Sequence, residues 1–187
     1  NIINCPKVEM NRNGSWGTNG GNINIINSYV DVNSNGPEPW NAVNKTASNL
    51  YGFNITIKGS TVNANDCGTY DGIWAAYSAN FEDSFIYCNN NGAKDENGNI
   101  DVKKESGNGF ECYGTTRISN TQLITNGNAC KGVSCYPDYN TGETPTQVTN
   151  NSILMASGNR GTGIWLNGIE DKAVNQAIIT DSTIKTT

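Results

Sequence analysis

A six-residue pattern returns six times along this chain: apolar, any residue, Asn/Asp/Gly, Ser/Thr/Asn, any residue, apolar. It reads Ile25–Val30, Ile57–Val62, Phe81–Ile86, Ile118–Leu123, Val148–Ile153 and Ile179–Ile184. Successive copies start 32, 24, 37, 30 and 31 residues apart. Self-similarity at such a period marks stacked repeats, in which no unit buries its apolar side alone but neighbours bury each other's.

A second element falls between copies. Gly followed by an apolar residue occurs at Gly72-Ile73, Gly109-Phe110, Gly132-Val133 and Gly163-Ile164, each opening a short run of strand formers. Asn and Gly interrupt every window long enough for a helix, and no helical periodicity survives. The unit reads as strand, tight turn, strand, variable loop. Asn, 32 of 187 residues, recurs three positions after the last apolar residue of the first four copies, at Asn33, Asn65, Asn89 and Asn126. Stacked on parallel strands these side chains lie about 4.8 Å apart, where each can tolerate a left-handed turn and bond its neighbour.

The Asn27-Ser28-Tyr-Val30-Asp-Val-Asn33 signature and the Gly-apolar strands resemble the right-handed parallel β-helix of the pectate-lyase-like superfamily. The resemblance covers residues 22–187 and implies an all-β fold of about six coils with essentially no helix. Residues 1–21 are expected to form an N-terminal coil or cap segment, and 1–187 is expected to be a single domain that is part of a larger protein or assembly. The fold is shared by lyases, glycosidases, tailspikes and adhesins. It carries no catalytic residues over to this chain, because fold does not fix function.

Composition narrows the chemistry. Without His there is no Ser-His-Asp or Cys-His catalysis and no His-ligated zinc. A pI near 4.6 with 12 dispersed basic residues argues against nucleic acid, and no apolar run is long enough to insert in a membrane. Six cysteines without a CxxC pair, in an acidic, Asn-rich and Lys-poor chain, point to an extracellular or cell-surface protein with some disulfides. Aligning repeats on the Gly-apolar element puts Cys112 and Cys135 inward on adjacent rungs, either bonded or as stacked thiols. Cys67 and Cys88 fall on adjacent rungs at less matched offsets.

The same alignment points Ile73, Phe110, Val133 and Ile164 inward, followed by Ala75, Cys112, Cys135 and Leu166. Outward stand Trp74, Glu111, Ser134 and Trp165, then Ala76, Tyr113, Tyr136 and Asn167. Trp74, Glu111, Tyr113, Tyr136, Trp165 and Asn167 are the candidate carbohydrate contacts, since rings stack on sugar faces while amides and carboxylates bond hydroxyls. The competing reading is packing beneath the loops at 136–147 and 168–177.

Cleavage would need paired carboxylates or a base beside a metal-held uronate. Glu111 with Asp71, Arg117, Lys131, Arg160 and the Glu170-Asp171-Lys172 loop are the candidates. No catalytic residue is assigned and no cofactor is expected; calcium at Asp95–Asp101 is the weaker idea, because that loop lacks the full ligand register. Three functions compete: a module binding polysaccharide or surface glycan, a polysaccharide lyase or glycoside hydrolase, and a structural stalk or filament. The sixth motif is followed by only three residues, which suggests end-to-end self-association or a longer native chain.

Overall fold

Each copy of the six-residue pattern folds as two short strands hinged at its third residue. That residue adopts positive φ at Asn27 (49°), Gly59 (57°), Asp83 (51°), Asn120 (45°) and Asp181 (46°). Only Gly, Asn and Asp enter this left-handed region at small cost, which is why the pattern specifies them there. The Ser or Thr that follows bonds back to the carbonyl two residues earlier, as in Ser28 Oγ to Ile26 O (2.7 Å) and Ser84 Oγ to Glu82 O (2.6 Å).

The computed structural model describes residues 1–13, 16–35, 47–95, 97, 99–101, 107–136, 146–166 and 177–187. Among them the structure is all strand and turn, without helix. In chain order the strands are β1 (Ile2–Ile3), β2 (Val8–Glu9), β3 (Thr18–Ile26), β4 (Tyr29–Asp31), β5 (Leu50–Lys58), β6 (Thr61–Asn63), β7 (Ile73–Glu82), β8 (Phe85–Tyr87) and β9 (Phe110–Tyr113). They continue as β10 (Thr115–Ser119), β11 (Gln122–Ile124), β12 (Val133–Tyr136), β13 (Gln147–Thr149), β14 (Ile153–Ala156), β15 (Ile164–Leu166), β16 (Ile178–Ile179) and β17 (Thr183–Thr186).

Two parallel sheets result. One runs β1-β3-β5-β7-β10-β13-β16, with β9, β12 and β15 continuing from the first half of β7; the other runs β2-β4-β6-β8-β11-β14-β17. The starts of all six motif copies align, Ile25 to Ile57 to Phe81 to Ile118 to Val148 to Ile179. Ile2 pairs with Ile25 and Val8 with Val30, so the N-terminal segment forms a further rung. Its motif was hidden because Pro6 and Lys7 lengthen the link between the two strands.

The second column runs Val30, Val62, Ile86, Leu123, then Leu154 and Ile184. The sequence reading placed Ile153 in it; this is corrected by one residue. The turn there holds two left-handed residues, Asn150 (φ 55°) and Asn151 (φ 59°), and the extra residue hands the inward position to Leu154. Ser152 accordingly bonds back three residues, to Thr149 O, where its counterparts reach two.

Side-chain ladders tie the rungs together. Asn33, Asn65 and Asn89 each accept the backbone N–H of the next rung through Oδ1, at 2.8–2.9 Å, and Asn11 and Asn126 extend the column in both directions. A second, unforeseen Asn ladder lies two residues on, at Asn13, Asn35, Asn91, Asn128 and Asn159, with Asn35, Asn91 and Asn128 buried. Glycine packs against it. A Cβ at Gly109 would stand 2.7 Å from Gly132 O and 2.8 Å from Asn128 Nδ2, so the Gly of the Gly-apolar element exists to let this ladder through.

One rung breaks the rule in two places at once. Cys67 stands where the ladder calls for Asn, and Asn49 stands where other rungs carry Gly. The Asn49 side chain enters the vacated space: its Oδ1 accepts from Asn35 N (3.0 Å) and its Nδ2 donates to Asn65 O (2.8 Å).

The cysteine expectation needs correction. Cys112 and Cys135 are buried cross-strand partners, as read, but they and the other four cysteines are free thiols. Burial pushes the Cys135 thiol up to about 12. Cys67 and Cys88 do not face each other: the register places Ala64 opposite Cys88, three residues before Cys67, whose thiol donates to Ala47 O.

Candidate functional site

The strands β9, β12 and β15 supply the site by simple alternation. Phe110, Val133 and Ile164 pair across the three strands, as do Cys112, Cys135 and Leu166, and these two columns belong to the core or pack against it. The residues between them therefore face outward. Trp74, Glu111, Ser134 and Trp165 form one outward row, and Tyr113 pairs with Tyr136 in the next.

The outward rows do not make one uniform groove. Tyr113 and Tyr136 stack at 4.7 Å between ring centroids, only 7° from parallel, because strand spacing holds equivalent rings at that separation. Trp165 continues the edge at 5.9 Å from Tyr136. Tyr113 and Trp165 are 38% and 39% exposed, enough ring face for a ligand to reach. Lys131 Nζ sits 4.0 Å from the Trp165 ring centroid and donates to Tyr136 Oη at 3.1 Å. It also borders a cleft of about 430 Å³ shared with Ala129, Cys130, Arg160, Gly161 and Thr162.

Trp74 belongs elsewhere. It packs against Tyr51 (4.7 Å) and Tyr70 (5.5 Å), with Trp16 beyond, and its Nε1 is buried with no partner among the described residues. Asn167 and the Glu170-Asp171-Lys172 loop lie outside the described residues. Arg117 is on β10, in the polar outward row with Asn80 and Gln147. Asp95 Oδ1 accepts the amides of Asn97 and Asn99, a local turn that engages one oxygen of the calcium candidate.

Beneath the tyrosine edge lies a pair of carboxyls. Asp71 is fully buried and Glu111 is 3% exposed. Asn108 joins them: its backbone N–H donates to Asp71 Oδ1 at 2.6 Å, its Nδ2 donates to Glu111 Oε1 at 3.0 Å, and its Oδ1 accepts the Lys131 amide. Asp71 Oδ2 and Glu111 Oε2 are buried without a donor among the described residues, and the two carboxyls interact directly. A carboxyl in its protonated form carries the donor that such a pair lacks.

Burial raises the Asp71 carboxyl well above its usual range, and the Glu111 charge adds to the rise. Burial also raises Glu111, opposed by the Asp71 hydrogen bond and by the Lys131 charge. Tyr70 and Tyr113 are raised as well, first by burial and then by the acids beside them, so both phenols remain protonated.

Asp71, Asn108 and Lys131 reach the site for one reason. Each immediately precedes the Gly of a Gly-apolar element, and the backbone stacks them on consecutive rungs, with Gly72 N bonding Asn108 O and Gly109 N bonding Lys131 O. The sequence reading weighed Asp71 and Lys131 but missed Asn108. The position before each Gly was the signal available to find it. Compared with known proteins, the chain matches no family model, no curated protein and no solved structure.

Proposed function

We propose that this chain is an exported or cell-surface module that binds carbohydrate through the edge formed by Tyr113, Tyr136, Trp165 and Lys131. Its two parallel sheets are read as walls of a right-handed parallel β-helix, pectate-lyase-like in architecture, with each repeat a coil. The observation that carries the reading is the run of aromatic rings on consecutive rungs, flanked by a cation and by the Lys131–Arg160 cleft. Ring faces at fixed spacing suit the apolar faces of successive sugars, and the cations suit hydroxyls or acidic substituents. Acidity and a high Asn content support an exported setting; the cysteines, as free thiols, do not add to it.

The carboxyl pair weighs against cleavage as the primary role. Glycosidase carboxyls stand about 5–9.5 Å apart around the scissile bond and must touch substrate. Asp71 and Glu111 touch each other and are covered. Their work on this reading is to anchor Asn108 and, through it, the segment carrying Lys131.

A glycan array probed with the purified chain tests the proposal. Trp165→Ala and Tyr136→Ala should each lower affinity about tenfold, a loss near 1.4 kcal/mol, whereas Trp74→Ala should leave binding unchanged in any variant that folds. No binding to any glycan would sink the reading. Release of reducing ends or unsaturated uronate from a polysaccharide panel would favour the enzyme class instead.

A further inference from the structure

The outward face of the second sheet carries an apolar patch of its own, apart from the aromatic edge of the first sheet. On the first sheet the exposed apolar side chains include Phe53, Tyr77, Tyr113, Trp165 and Ile178, while the outward positions Thr56, Asn80, Arg117 and Gln147 are polar and Lys58–Glu82 is ion-paired (3.0 Å). On the second sheet, three adjacent rungs turn large apolar side chains away from the core. Phe85 and Tyr87 stand on β8, Ile124 on β11, and Ile153 and Met155 on β14, with Phe85 46% exposed and the others half-buried. The two positions per strand form straight columns, because every pairing in this sheet is parallel and in register. Gln122 stands between Phe85 and Ile153, while Tyr87, Ile124 and Met155 run unbroken beside it, and contiguous apolar surface of this kind marks an interaction surface.

The charges at its two ends name the occupant. Glu9, Asp31, Asn63, Tyr87, Ile124, Met155 and Lys185 form a single column; Lys7 holds Glu9 in an ion pair, which leaves Asp31 as the acidic group at the β2–β4 end and Lys185 as the basic group at the β17 end. An antiparallel second copy is complementary to that polarity. A two-fold axis between β8 and β11 lays Tyr87 over Ile124 of the second copy and brings Lys185 opposite Asp31 of the second copy. We propose that two copies of this chain associate face to face through the second sheet about this axis, sheets roughly 10 Å apart. Seven strands about 4.8 Å apart and three residues wide give roughly 300 Å² of flat strand surface, well under the ~800 Å² per partner of a standard interface. The dimer is therefore weak, with a Kd above the ~1 µM at which standard-size interfaces begin.

Sedimentation equilibrium of the 187-residue chain from ~1 µM to ~500 µM reads this directly, bracketing the Kd. The expected result is a shift from the 20.1 kDa monomer towards twice that mass. Ile124→Lys and Phe85→Lys, both outward, should hold the chain monomeric throughout while retaining its β circular dichroism. Lys185→Glu, on an exposed side chain, should weaken association about tenfold, and adding Asp31→Lys should restore it. A single monomeric species across the range overturns the proposal. So does a dimer that survives Ile124→Lys, or one lost on Ile179→Asp alone, which would place the contact at the end rung.

Discussion

Asp71 and Glu111 tie this molecule to pH. Both hold their protons more tightly in the fold than the ordinary values of 3.8 and 4.5, so the native state carries more protons than the unfolded chain above that range. Stability is then full at or below the ordinary carboxylate range and falls as pH rises through the raised values. Each unit of difference is worth about 1.4 kcal/mol. Asp71→Asn keeps the shape and the Asn108 contact while removing one titrating group. Its melting temperature should gain on the wild type steadily as pH rises above the ordinary carboxylate range and through the raised values. A constant offset at every pH would show that the pair does not titrate in that window. The outward tyrosines were legible from alternation alone. The carboxyl pair was only half legible, because Asp71 reaches Glu111 from the turn that precedes a strand, where period-two reasoning does not apply.

At the scale of the element, the paired exception at Cys67 and Asn49 makes a sharper test than any single ladder residue. Cys67→Asn restores the ladder residue but drives it against the Asn49 side chain already in that space. Asn49→Gly empties the space and leaves buried amides without an acceptor, costing about 1–3 kcal/mol. Together the two changes reproduce what β7 and β9 already do with Gly72–Asn91 and Gly109–Asn128. The double variant should therefore be more stable in urea than either single variant, with a coupling of about 1–3 kcal/mol. Additive losses would mean that the two positions do not share one cavity. All six motif starts were readable because a left-handed turn admits so few residues. The Ile153 slip was not, since Asn150-Asn151 offers two acceptable turn residues and the apolar pattern at Ile153-Leu154 fits either register.

For the whole molecule, burial along a single column varies with rung. Ile25, Ile57, Phe81, Ile118 and Val148 are 0–1% exposed, whereas their column partner Ile179 is 44% exposed. Truncating Ile118 to Ala opens a cavity between two covered rungs and should cost about 2–5 kcal/mol. Truncating Ile179 should cost less than about 1 kcal/mol, because half its surface already meets solvent. Chemical denaturation of the two variants makes the comparison, and equal losses would mean that the end rung is covered in solution.

The ladders also run in opposite senses, and that bears on how the chain is made. Ser28 N donates forward to Ser60 Oγ and Asn91 N forward to Asn128 Oδ1, while Asn65 N donates backward to Asn33 Oδ1. As synthesis proceeds, each finished layer thus offers both hydrogens and lone pairs to the segment emerging next. The newcomer is matched at several points simultaneously, and a segment displaced by one residue turns its ladder side chains to the other face and loses those bonds. The growing edge is its own proofreader: it templates one alignment and leaves the others without partners.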